Sequence, residues 1–148
     1  MRSRRPLVAA LLFGTLLTLG CDDSTDAGRL HRARLLWQSN RVSEYRYTVA
    51  TSCFCLVTGP IEANVRNGTI VSWSRTDGGP VTNLTFTLTV DSLFAYVERA
   101  MNRSESSVTV EYDPALGYPT HVNIDWIKNA VDDEVAYQVL SLTILQRQ

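Results

Sequence analysis

The sequence predicts an α+β domain, one antiparallel sheet with two helices on the same face. Three observations carry this. Two segments place apolar residues at helical spacing, and six are alternating or rich in β-branched residues. Their order is helix, three strands, an extended segment, helix, three strands, which gives an antiparallel sheet with helices segregated to one side. The two halves also echo each other. Tyr45 to Cys53, Gly59-Pro60 and a strand parallel Val108 to Tyr112, Tyr118-Pro119 and a strand, so the order is compatible with a duplicated αβββ unit.

The elements follow in turn. From Arg29 to Arg41, the residues Leu30, Ala33, Leu36 and Trp37 share one helical face. Glu44 to Cys55 alternates, with Tyr45, Tyr47, Val49, Thr51, Cys53 and Cys55 on one side of a strand. Ile61 to Val65 and Ile70 to Ser74 flank Asn67-Gly68, a strong two-residue turn signal, and read as a hairpin. Leu84 to Val90 alternates with threonines and reads as an extended segment. Asp91 is the expected cap of a second helix whose buried face is Leu93, Phe94, Val97, Ala100 and Met101. Val108 to Tyr112 is a strand, Asp113 to Gly117 a turn, and Thr120 to Trp126 the next strand. Asp132-Asp133-Glu134 turns the chain into Val135 to Leu145, a last strand with a helix as the alternative.

Ahead of this domain stands an address. Met1-Arg-Ser-Arg-Arg-Pro6 is basic, and an apolar run from Leu7 to Leu19 ends in Gly20-Cys21. That is the layout of a secretory signal, and the run is too short for a bilayer span of about 20 residues. Leu17-Thr-Leu-Gly-Cys21 resembles the lipobox of bacterial lipoproteins, although Thr18 stands where leucine is usual. The resemblance implies cleavage before Cys21 and a diacylglycerol on its thiol. Ordinary cleavage with a free Cys21 is the competing reading. Ser3-Arg-Arg-Pro-Leu-Val8 also resembles a twin-arginine core, so the general secretory and twin-arginine routes both stand. Residues 1–20 are thus the expected lipoprotein signal, 21–28 a polar tether, and 29–148 a single domain. The expected location is the bacterial envelope, lipid-anchored on the extracytoplasmic side of a membrane.

Removing the signal leaves 128 of the 148 residues. The 14 basic residues fall to 11 against 15 acidic ones, a formal charge of −4. That balance offers no basic footprint for nucleic acid. The expected partners are the membrane, through the lipid, and an envelope protein.

An ordered set of residues carries a further likeness: Trp37, Tyr45-Arg-Tyr47, Cys53-Phe-Cys55, Asn67-Gly68, Leu93-Phe94, Tyr112-Asp-Pro-Ala-Leu-Gly-Tyr-Pro119, Ile124-Asp125 and Asp132-Asp-Glu134. The set resembles a domain-of-unknown-function family of small secreted proteins and lipoproteins from bacteria. The resemblance implies the envelope address and the α+β layout, and it brings no catalytic residue.

With Cys21 assigned to lipid, Cys53 and Cys55 remain as a pair. Residues two apart on a strand are roughly 6.5–7 Å apart at Cα, the upper edge of disulfide geometry, and a bulge near Phe54 would close the gap. Outside the cytoplasm the first expectation is a Cys53–Cys55 disulfide shaping the strand end. A redox couple or a soft-metal site are the alternatives. Further nitrogen ligands are limited to His31 and His121. Asp113, Asp125, Asp132, Asp133 and Glu134 match no calcium-loop spacing. No nucleophile elbow or phosphate-cradling glycine motif stands out. No catalytic residue, resident metal or cofactor is therefore expected. The candidate binding surface lies around residues 53–60 and 113–126, with Tyr118, His121 and Asp125 as its candidate residues. The functional expectation is a non-catalytic binding or structural module, with a thiol-based redox or soft-metal protein as the alternative.

Overall fold

The computed structural model of the protein describes residues 25–54, 59–80, 88–128 and 130–148. Its elements are α1 (Asp26–Ser39), β1 (Val42–Cys53), β2 (Ile61–Arg66), β3 (Thr69–Arg75), α2 (Val90–Met101), β4 (Ser107–Tyr112), β5 (Pro119–Asp125) and β6 (Glu134–Arg147). The strands form one antiparallel sheet in the order β3-β2-β1-β6-β5-β4. Both helices bury apolar residues in one core against a single face of it, so the class is α+β. The element order repeats, but the positions do not. β1 lies in the middle of the sheet, whereas β4, the corresponding strand of the second half, is an edge.

Alternation decides which face is buried. Tyr45, Tyr47 and Val49 of β1 stand between Val65, Ala63 and Ile61 of β2 and Ile144, Leu142 and Val139 of β6. Val122 and Ile124 of β5 stand beside Tyr137 and Val135 of β6. The side chains of this set on β1, β2 and β5 are almost completely buried. Leu30, Ala33 and Trp37 of α1 and Leu93, Phe94, Val97 and Ala100 of α2 close the core from above. The opposite face is polar. Glu44 bonds Arg66 at 2.8 Å, Thr48 accepts from Ser141 at 3.2 Å, and His121 Nδ1 lies 3.3 Å from Glu111. Exposed pairs of this kind contribute at most about 1 kcal/mol each, so this face leaves the fold's stability to the other one.

Three details depart from the sequence reading. First, α1 begins at Asp26, inside the stretch expected to be tether, because Thr25 caps it by accepting from Gly28 N at 3.0 Å. Second, Thr89 rather than Asp91 caps α2, accepting from Ser92 N at 3.1 Å. Asp91 falls in the first turn, where its charge favours the helix dipole. Third, β6 is a strand that reaches Arg147, carrying unpaired extra residues at Leu140 and Leu145. The Asn67-Gly68 hairpin forms as expected, with both residues at positive φ (48° and 73°). The expected extended segment from Leu84 lies mostly outside the described residues, and Val90 opens α2. Among the described residues no helix is long and apolar enough to cross a membrane.

Candidate functional site

Much of the motif set turns out to build scaffold. Tyr45 and Tyr47 both reach from β1 to the start of α2. Tyr45 Oη accepts from Val90 N at 2.9 Å, and Tyr47 Oη donates to the Leu88 carbonyl. Trp37 Nε1 donates to Asp91 Oδ1 at 3.2 Å, and its ring meets Tyr45 edge-on at 5.5 Å. These residues of the set therefore fix where α2 starts.

The segment Tyr112 to Pro119 is a built turn. Asp113 Oδ1 accepts from Ala115 N at 2.9 Å and Leu116 N at 2.7 Å, and the Asp113 carbonyl accepts from Gly117 N at 2.8 Å. Gly117 has φ 84° and lies directly under α1. A Cβ there would run into the Ala33 carbonyl and stand 3.0 Å from Leu36 Cβ. Tyr118 packs edge-on against Trp37 at 6.3 Å, and burial raises its phenol pKa above the ordinary value, with help from the Asp113 charge.

The motif pieces without such a role meet at the other end of the sheet. Cys53-Phe54 from the end of β1, Ile124-Asp125 from the end of β5, and Asp132 and Glu134 before and at the start of β6 line one groove of about 540 Å³. Ser52, Ser107, Thr109, Asn123, Val135 and Ala136 complete it. Register makes the convergence: Cys53 pairs with Val135, Asp125 with Glu134, and Ser107 with Asp125. Asp132 turns into β6 at φ 69°. Among the described residues the lining carries three carboxylates, three hydroxyls and an amide, and no lysine, arginine or histidine. Phe54 stands 81% exposed at its rim. Asp125 Oδ1 is buried and, among the described residues, accepts no hydrogen bond. The groove therefore offers acceptors and negative charge to a donor-rich ligand.

The structure separates the three candidate binding residues. Asp125 lines the groove. His121 shares the polar face of β5 but pairs with Glu111 on β4. Tyr118 is on the helix side, under α1. The hydroxyls and amide of the groove escaped the sequence reading because only the sheet order brings them together. The single available signal was that they fall on outward phases of their strands. Cys53 is disulfide-bonded, while Cys21 and Cys55 lie outside the described residues. Among the described residues no group of three or more histidines, cysteines or carboxylates is disposed to hold a metal ion.

A helix-backed sheet of six antiparallel strands with a polar open face and an acidic groove at one end defines a small α+β domain. The chain matches, over residues 29–144, the model of a family of unknown function, DUF6174, and belongs to that family. No curated protein and no solved structure matches it.

Proposed function

We propose that this chain is a lipid-anchored, non-catalytic binding module of the bacterial envelope, holding a basic segment of an envelope protein in the groove between β1, β4, β5 and β6. The address rests on the basic start, the short apolar run and the lipobox-like Leu17-Thr-Leu-Gly-Cys21. Two or three acyl chains on Cys21 give stable anchorage where one gives marginal binding. The observation that carries the binding role is the convergence of Cys53-Phe54, Ile124-Asp125, Asp132 and Glu134 on one acidic groove. Lysine or arginine side chains supply a donor to Asp125, whose Oδ1 has none among the described residues, and positive charge to Asp132 and Glu134. Phe54 adds an exposed ring face for a cation or an apolar neighbour.

The test is site-directed photo-crosslinking in intact cells. A photoreactive residue at Thr109, in the groove, is expected to yield a discrete protein adduct. One at Arg46, on the same face but away from the groove, is expected to yield none. Neutralising Asp125 and Glu134 together is expected to abolish the adduct. Equal labelling from both positions, or labelling indifferent to the neutralisation, rejects the groove.

Disulfide exchange is a second reading, favoured by the place of bonded Cys53 on the groove wall. It requires that a bound substrate's thiol be oxidised as the Cys53 disulfide is reduced. Transfer of the bond from the unaltered, oxidised protein to a dithiol peptide, with two thiols gained by the protein as the peptide loses two, supports it, and a bond that stays intact under physiological thiol buffers removes it.

A further inference from the structure

A second cavity, of about 520 Å³, opens at the end of the sheet away from the acidic groove. It lies where α1 ends, β1 starts, the Asn67-Gly68 hairpin turns, α2 begins and β6 ends. Val42 and Ser43 of β1 line it, whereas Ser52 and Cys53 of the same strand line the groove. Its volume falls within the ordinary range for small-molecule sites.

Three of its residues are placed at a cost that the fold does not recover. Arg41 follows the cap of α1 at φ 48°, a position that glycine fills without strain. Its guanidinium has no hydrogen-bond or ion-pair partner among the described residues. Asp91, on the first turn of α2, accepts from Trp37 Nε1 at 3.2 Å through Oδ1 and pairs with no cation among the described residues. Ser43 and Thr89 are the buried polar residues among those described, and Thr89 caps α2. Ser43 is 6% exposed, and its Oγ is buried without a partner. Such a hydroxyl costs stability and asks for a reason.

We propose that this cavity binds a free amino acid with a polar side chain, its carboxylate on Arg41 and its ammonium on Asp91. The site needs neither the lipid anchor nor the acidic groove. A guanidinium and a carboxylate that make no pair with each other, lining one small volume, fit a ligand that carries both charges. A simple anion is repelled by Asp91, and a simple cation by Arg41. The ligand carboxylate takes the planar guanidinium fork, and the ammonium donates to Asp91 Oδ2. A polar group seated against β1 gives the Ser43 hydroxyl its partner. The amides of Gln38, Asn67 and Gln148 offer donors and acceptors to a side chain of the same kind.

The experiment uses the full chain, expressed in bacteria and purified in detergent, with each standard amino acid in turn as the probe. Glutamine and asparagine are expected to raise Tm most, by about 5 °C at a concentration about tenfold above Kd. Calorimetric titration then compares glutamine with glutaminamide, which lacks the carboxylate, and with N-acetylglutamine, which lacks the ammonium. Each analogue is expected to bind at least about tenfold more weakly. Arg41→Gly is expected to keep or raise the ligand-free Tm, because glycine is unstrained at that φ, and to weaken glutamine about tenfold. Asp91→Asn keeps an acceptor for Trp37 and is expected to weaken glutamine as much. The analogue series uses the unaltered chain, so it holds even where a substitution loosens the fold. No Tm rise with any amino acid, equal affinity for glutamine and both analogues, or affinity unchanged in both variants overturns the site.

Discussion

Gly117 shows how one residue links a turn to a helix. It combines φ 84° with contact to the backbone of α1, so it answers two constraints that a side chain violates together. Gly117→Ala is expected to destabilise the protein by about 2–5 kcal/mol, from left-handed strain plus overpacking under α1. Chemical denaturation measures it, and a loss below 1 kcal/mol would show that α1 is free to yield. Tyr45 is the second such residue. Its hydroxyl is the partner of Val90 N, so Tyr45→Phe keeps the ring and strands a buried N–H, at about 1–3 kcal/mol. A neutral outcome would mean that water replaces the phenol. The turn around Gly117 was legible in Asp-Pro-Ala-Leu-Gly. Its contact with Ala33 was not, because periodicity says nothing about which helix crosses a turn more than eighty residues later.

At the scale of the element, β6 explains why strict alternation is an incomplete guide. Val135, Tyr137 and Val139 face the core at odd positions, and Leu142 and Ile144 at even ones. The change of phase is absorbed at Leu140, which is 49% exposed and has no partner on β1. That broken period is what left a helix open as an alternative in the sequence. Deleting Leu140 joins Val139 directly to Ser141 and preserves both the inward set and the pairing with β1. The expected change in stability is under about 1 kcal/mol. Deleting Asn123 of β5, whose pairing with β6 has no such break, instead puts His121 at the core position of Val122 and is expected to abolish folding. Thermal melts of the two deletions test this, and equal loss in both would show that the bulge itself is required. The cap of α2 was misread for a related reason. Thr89 and Asp91 are both good capping residues, and the local sequence does not say which one leaves the helix.

For the molecule as a whole, the core is built around phenols. Burial pushes the Tyr45, Tyr47 and Tyr137 hydroxyls well above the ordinary phenol pKa, and Tyr112 to about 12. Burial is the first cause in each. The Asp91 charge adds to Tyr45 and the Tyr96 hydroxyl to Tyr137, while Arg29 acts against the rise at Tyr112. A raised folded-state pKa means that the unfolded chain releases its proton first. The stabilisation is therefore full below about pH 10 and is lost as pH climbs through the folded values. Melting temperature is expected to be flat with respect to these groups at neutral pH and to fall steeply above about pH 10, with the phenolates of Tyr45, Tyr47 and Tyr137 appearing only as the fold is lost. Titration of Tyr45, Tyr47 and Tyr137 near pH 10 in a protein that stays folded would contradict the buried tyrosine core.

The sheet, both helices and the hairpin were legible because each is a local period closed by a turn signal. The groove was legible only in pieces. Cys53, Asp125 and Asp132 are more than seventy residues apart at the extremes, and the strand order that brings them together follows from how β6 inserts between β1 and β5. The address at the N-terminus was read from composition alone, and the binding role outside the membrane depends on it. Intact-mass spectrometry of the protein purified from membranes of bacteria made to express the full chain tests that dependence most directly. A chain beginning at Cys21 with diacylglycerol attached, and lost when Cys21 is replaced by alanine, is the predicted result. A soluble chain with an unmodified Cys21 would contradict it.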